Sequence, residues 1–400
     1  MASKLKICIA TGTRADWGIL SPLAAALKAR DDVEVQIMAT NMHLMSKFGS
    51  TADEIVRAGF TIDETVEMAA AGNDTPYDKA VAMGQCLQGA AGALRRLAPD
   101  AIVILGDRFE MLAVASAAAV MLIPIVHISG GETTGGAVDD SFRHAISQLA
   151  SLHLVSAEPY RKRVVNMGAN VDNVVNTGSL GVWNMMNLPV ISRDELCQDI
   201  GIDPKRPFVV ATFHPATLDT EATPAARCAA MFDALERFPR LQIVVTYPNN
   251  DAGSNEIISE IERRAAARPD SIKVIKSLGL KRYMSAIRYA EFVIGNSSSG
   301  IIEVPSTGTP VVNIGIRQQG RLRSDAVIDC GNGSEEIEEA IVKALSPDYK
   351  VIARNSSNPY YSADTLRLSV ESIVEFVNKN SATSQSAGVS RSTDRSRGIT

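Results

Sequence analysis

Two short apolar runs, Ile102–Leu105 and Ile123–Ile128, each empty into a loop of glycines and carboxylates. Gly106-Asp107-Arg108 follows the first; Ser129-Gly130-Gly131-Glu132 and then Asp139-Asp140 follow the second. Carboxylates crowded at neighbouring strand ends suit general acid/base chemistry, because crowding and partial burial raise the pKa of one member while another stays ionised. Asp107, Glu132 and Asp139 are therefore the first candidates for proton transfer, with Asp140 beside them. Isolated surface carboxylates are ordinarily solvated and inert; bracketing by glycine at strand ends sets these apart. Arg108 and Arg143 fit equally as plain ion-pair partners.

A second set of residues suits an anion. Gly12-Thr13-Arg14 closes the first strand and opens the first helix, where backbone amides and a guanidinium can converge on a phosphate; a plain tight turn would also want Gly12. Gly295-Asn296-Ser297-Ser298-Ser299-Gly300, followed by Glu303, offers amides and hydroxyls to a diphosphate and a carboxylate to two ribose hydroxyls. One serine suffices to cap a helix; a run of them asks for another reason. His214, at the end of Phe208–Phe213 and directly before Pro215, is placed to face a cleft, whereas His43, His144 and His153 read as structural and His127 as core. Arg317 and Arg321 add positive charge after the run Pro310–Ile314, as an ordinary surface loop also would. No spacing of His, Cys, Asp or Glu resembles a closed metal cage, and no metal is expected.

Stepping from these residues to their supports, β-branched apolar runs alternate with helical periodicity along the whole chain. Strands are expected at Leu5–Ala10, Val33–Ala39, Ile102–Leu105, Ile123–Ile128, His153–Ser156 and Val174–Thr177, with helices over Ile19–Leu27, Leu44–Ala58, Pro76–Leu97, Phe109–Met121 and Asp140–Ala150. The rhythm breaks around Leu188–Pro207 and restarts at Phe208. This predicts an α/β protein of two Rossmann-like, doubly wound domains facing each other across a cleft, divided as residues 1–185 and 186–362. A closing amphipathic helix is expected over 363–380. Residues 381–400, nearly all Ser, Thr, Arg, Asp, Gly and Ala, are expected to be a disordered tail.

The 400 residues exceed one ordinary core, and 46% hydrophobic with 21% charged residues reads as globular. A formal charge of −5 argues against a sequence-independent nucleic-acid binder. Five scattered cysteines without CxxC spacing fit reduced thiols, and no apolar stretch approaches a secretory or membrane-spanning length. A cytoplasmic protein with no membrane partner is expected.

Taken together, GTRADWG, GDRFE, HISGGETTGGAVDDSFRH, FHPAT, YPNNDAGS, GNSSSGIIEVPS, NIGIRQQGR and SSNPYY, in that order over Lys6–Asn378, resemble the hydrolysing UDP-N-acetylglucosamine 2-epimerases of bacterial sialic-acid synthesis, the NeuC type. The resemblance implies a glycosyltransferase-B-like fold, a nucleotide-sugar substrate, no cofactor, and a homo-oligomer, dimer or tetramer. It implies that Arg14, His214, Ser297, Ser298 and Glu303 hold UDP. Asp107 and Asp139 match carboxylates assigned to proton and water chemistry, in which the C2 proton is lost, UDP leaves anti to it, and 2-acetamidoglucal adds water to give N-acetylmannosamine. Many relatives carry glutamate or histidine where this chain has Ser129, so that duty is expected to pass to Glu132. The expected catalytic set is Asp107, Glu132, Asp139 and His214. The expected substrate-binding set is Arg14, Asp140, Arg143, Ser297, Ser298, Ser299, Glu303, Arg317 and Arg321. The same chemistry on UDP-N,N′-diacetylbacillosamine, or a glycosyltransferase of the same fold, are the alternatives.

Overall fold

The computed structural model describes residues 4–49, 51–68, 74–219 and 221–386. Strands β1 (Leu5–Thr11), β2 (Val33–Thr40), β3 (Glu64–Val66), β4 (Ala101–Leu105), β5 (Ile125–Ile128), β6 (Leu152–Val155) and β7 (Val174–Asn176) form one sheet in the order β3-β2-β1-β4-β5-β6-β7. Strands β8 (Phe208–Thr212), β9 (Gln242–Thr246), β10 (Ile272–Ile275), β11 (Val293–Gly295), β12 (Val311–Ile314) and β13 (Val327–Cys330) form the other, in the order β10-β9-β8-β11-β12-β13. Every pairing in both sheets is parallel.

Parallel strands covered on both faces read as continuous apolar runs, and β4 shows why. Ile102 and Ile104 enter one core with Cys86, Leu94 and Val114, while Val103 and Leu105 enter the opposite core with Ile7, Trp17 and Leu20. In each sheet the winding direction reverses once, between β1 and β4 and between β8 and β11. Strand ends splay apart at such a reversal and leave a crevice. The loops after β1, β4, β8 and β11 carry Arg14, Asp107, His214 and Ser297, so topology alone gathers the chemistry-bearing residues.

Several sequence expectations need correction. Leu44–Ala58 is not one helix. Two 3-10 turns, Asn41–Leu44 and Ser46–Phe48, precede a short helix, Ala52–Arg57. Asn41 and Gly49 both adopt positive φ, and Met42 and Phe48 are buried among the second domain's core side chains, including Phe213 and Tyr247. The apolar residues that imitated a helix face are bridging the two domains instead. Helix Arg193–Ile200 lies within the stretch read as broken, and helix Leu180–Asn187, also unforeseen, directly precedes it. Their Ser179 and Ser192 caps mark them, but the surrounding prolines masked the pattern. Helix Pro347–Asn355, with proline at its first turn, and strand β3 were also unforeseen.

The last helix runs from Thr365 to Ser386, so residues 381–386 continue it rather than begin a disordered tail; residues 387–400 lie outside the described residues. This helix returns to the first domain, where Ile373, Val374 and Val377 pack with Ile7, Trp17 and Leu20. Among the described residues no helix is long and apolar enough to cross a membrane. Because Ile373 is fully buried, Ile373→Ala is expected to cost about 2–5 kcal/mol and to lower the urea midpoint of the first domain; an unchanged midpoint would show that the closing helix does not support that core.

Candidate active site

The carboxyl ends of the two sheets enclose a cavity of about 250 Å³. Its wall includes Asp107, Glu132, Asp139 and His214, together with Arg14, Arg143, Ser297, Ser298, Ser299, Glu303, Arg317 and Arg321. All the expected site residues therefore meet except Asp140, which stands behind the wall. Its Oδ1 accepts the Thr134 N–H at 2.6 Å, and it pairs with Arg143 and His144. In this arrangement it holds the loop and lies outside the cavity wall.

On the carboxylate side, each acid has a different environment. Asp107 meets the fully buried Arg143 through Oδ2. Glu132 has both oxygens engaged, Oε1 by the Ser156 hydroxyl at 2.6 Å and Oε2 by Arg321 of the second domain. Asp139, the first residue of helix Asp139–Leu149, has its carboxyl pushed above the usual range by burial and then by Asp251, against the opposing pull of Arg317 and Arg108. Asp251 is pushed up by burial but held below that range because Arg108, Arg317 and His214 together outweigh it, Arg108 donating to it from the other domain at 3.0 Å. Ser129 lines the cavity with left-handed backbone, φ 64, a conformation that costs a non-glycine residue on the order of 1 kcal/mol.

The other side is built around Asn296. Its side chain exchanges two hydrogen bonds with the His214 backbone, at 2.7 and 2.8 Å, tying the end of β8 to the end of β11. Its carbonyl accepts from Arg317 at 3.1 Å and Gln318 at 2.9 Å. His214 accepts the Asn249 N–H at Nδ1, 3.2 Å away, so the neutral ring carries its proton on Nε2. Burial, then Arg317, hold this imidazole well below the usual histidine range. Ser297 stands at the cap position of helix Ser298–Ile302 but makes no side-chain capping bond, which leaves the hydroxyl for a ligand. Ser299 bonds the Tyr283 hydroxyl at 2.5 Å. Glu303 Oε2 is buried without a partner, and a side chain at Gly181 would collide with Oε1, so glycine there makes room for this carboxyl.

The glycine turn after β1 behaves differently from the anion-site reading. The amides of Gly12 and Thr13 are occupied by Asp16, at 3.2 and 3.0 Å, in a capping box. Arg14 reaches across the cleft to the carbonyls of Tyr247, at 2.8 Å, and Lys276. The turn reading holds for the amides, while Arg14 remains in the wall.

Of the residues that join the domains, sequence reasoning offered Arg108 as an ion-pair partner and missed the others. Arg108 is sandwiched between Glu110 and Asp251. Tyr160 accepts the Leu322 N–H at 3.0 Å while Tyr360 donates to the Leu322 carbonyl at 3.1 Å, bracketing the residue after Arg321. Gly136 lies so close to the backbone of Arg317 that a Cβ would sit 2.7 Å from its Cα. These roles depend on contacts across a fold boundary, which the motifs that contain Arg108, Gly136, Asp251 and Tyr360 do not reveal. Among the described residues no group of three or more His, Cys, Asp or Glu could hold a metal ion.

A family model described as UDP-N-acetylglucosamine 2-epimerase matches residues 25–374. The chain belongs to this family. Among similar proteins is one from Campylobacter jejuni named GDP/UDP-N,N′-diacetylbacillosamine 2-epimerase (hydrolyzing), 36% identical over 87% of this chain and 89% of the relative. Polysialic acid biosynthesis protein P7 of Escherichia coli is 33% identical over 93% of this chain and 94% of its own length. The S. aureus MnaA–UDP structure superposes with a TM-score of 0.76 at 16% identity, covering 94% of this chain and 97% of that one. The two facing doubly wound sheets are thus the fold of the epimerase family, and the cavity of this epimerase-family chain lies where they meet.

Burial, reinforced by Glu132, raises Glu303 from 4.5 to about 7. Such a group contributes stability that is present below its unfolded pKa and lost as pH rises through its folded one. Glu303→Gln is therefore expected to melt higher than the unmodified protein at about pH 8, by on the order of 1–3 kcal/mol, with the gain gone by about pH 5. Identical melting differences at both pH values would show that Glu303 does not titrate in this window.

Proposed function

We propose that this protein is a hydrolysing 2-epimerase that converts UDP-N-acetylglucosamine and water to N-acetylmannosamine and UDP, in the cytoplasm, on the route to sialic acid. The observation that carries the reading is one cavity with two chemistries. Guanidiniums, a neutral histidine and uncommitted serine hydroxyls line one side, and carboxylates in unlike environments line the other.

The proposed course follows from those environments. A diphosphate meets the buried Arg317 and Arg321 guanidiniums of the wall, and the His214 Nε2–H and Ser297 and Ser298 hydroxyls donate to it. Glu303 accepts from the ribose. Asp107 is ion-paired through one oxygen only, so its other oxygen takes the C2 proton as the C1–O bond breaks and UDP departs. Asp139, kept toward its neutral form, gives its proton to C2 from the opposite face while water adds at C1 and passes its own proton to the carboxylate so formed, which inverts C2 and restores Asp139. Glu132, with both oxygens bound, fixes Arg321 against the sugar side rather than serving as the free base.

A second reading, the same chemistry on UDP-N,N′-diacetylbacillosamine, is supported by the name of the 36%-identical C. jejuni relative. Incubation with each sugar in deuterated water, followed by NMR, separates the two. N-acetylmannosamine carrying deuterium at C2, together with UDP, is the expected result. Turnover of only the diacetyl sugar selects the second reading, and two intact sugars refute both. Asp107→Asn is expected to lower kcat by about a hundredfold or more while UDP still binds; undiminished turnover would remove Asp107 from the chemistry.

A further inference from the structure

Thr134, on the loop between Glu132 and Asp139, is buried and lines the cavity. Its hydroxyl oxygen lies 2.9 Å from Arg143 Nη2 and 3.1 Å from Arg321 Nη2. Each guanidinium also grips a carboxylate of the cavity, Arg143 holding Asp107 and Arg321 holding Glu132. Arg143 belongs to helix Asp139–Leu149 of the first domain; Arg321 follows β12 of the second. The backbone N–H of Thr134 donates to Asp140, which pairs again with Arg143 at 3.4 Å. Two buried guanidiniums repel each other, and Arg321 is the largest charge opposing Arg143. A hydroxyl oxygen has two lone pairs and no charge, so it can accept from both without adding a third carboxylate to the acid cluster.

We propose that Thr134 is a positioning residue whose hydroxyl oxygen joins one guanidinium from each domain, so that closure of the cleft sets Asp107 and Glu132 in register with each other. Its kinetic consequence rests on the hydrolysing 2-epimerase reading; its structural consequence does not. If Thr134 were only a loop residue, its β-branched shape would matter and its acceptor would not.

Thr134→Val keeps the shape and removes the acceptor, whereas Thr134→Ser keeps the acceptor and removes the methyl group. In Thr134→Val, kcat is expected to fall about ten- to a hundredfold, with KM changed by less than about threefold. Thr134→Ser is expected to recover kcat to within about threefold. Amide hydrogen exchange should quicken in the Arg317–Leu322 and Gly106–Arg108 segments of the valine variant and stay near the unmodified rate in the serine variant. Full kcat in Thr134→Val, or a serine variant no better than the valine one, overturns the proposal. Should valine prevent folding, Thr134→Ala replaces it, with the same loss expected. If the unmodified protein converts neither sugar, the epimerase reading fails by itself, and the exchange experiment still decides: unaltered exchange in Thr134→Val refutes the junction.

Discussion

Burying a guanidinium costs several kcal/mol unless a carboxylate and further acceptors meet it, and Arg108, Arg143, Arg317 and Arg321 are all buried within one cleft. No single domain supplies enough partners. Arg108 finds Glu110 in its own domain and Asp251 in the other, and Arg321 finds Glu132 only across the boundary. Arg108, Arg143 and Arg321 thus meet carboxylates, two of them across the domain boundary, whereas Arg317 has the Asn296 carbonyl and no direct ion pair. Each of the four keeps a buried guanidinium nitrogen without a partner, so the cleft retains positive charge that an anionic ligand can meet.

The same economy sets the acid/base chemistry. Three carboxylates line one side of the cavity, yet the geometry gives them different partners: Arg143 for Asp107, Arg321 and Ser156 for Glu132, and for Asp139 the repulsion of Asp251. Asp251 comes from the second domain, so part of what holds Asp139 toward its neutral form arrives with closure. An elimination followed by hydration needs a base and an acid at neighbouring positions, and unequal environments provide that from identical side-chain types.

Much of the doubly wound pattern was legible because parallel strands and amphipathic helices have different periods, and the chain obeys both through nearly all of β1 to β13. It failed where residues serve another domain or where prolines cap rather than break. Met42 and Phe48 looked like a helix face but complete the second core, and Pro347 starts a helix. In the site, residues at strand ends could be read because strand ends converge. Asp251, Thr134 and Tyr360 could not, since their meaning lies in pairings between segments far apart in the chain, and Arg108 was legible as an ion-pair partner without its partners. Adjacent residues at a helix start point in different directions, so of Asp139 and Asp140 only Asp139 lines the cavity.

Ser129 shapes the loop that follows β5. Its left-handed backbone ends β5 abruptly and turns the chain into Gly130-Gly131, which brings Glu132 into the cavity wall three residues later. There Glu132 has both oxygens held, by Arg321 and Ser156. Asp107 is ion-paired through a single oxygen. The loop from Glu132 to Asp139, carrying Thr134 and close-packed at Gly136 against Arg317, is where the two domains meet around these carboxylates. The opposed pairings of Asp107 and Glu132 therefore let two like groups on one wall present different faces to a ligand, one with both oxygens committed and the other with one.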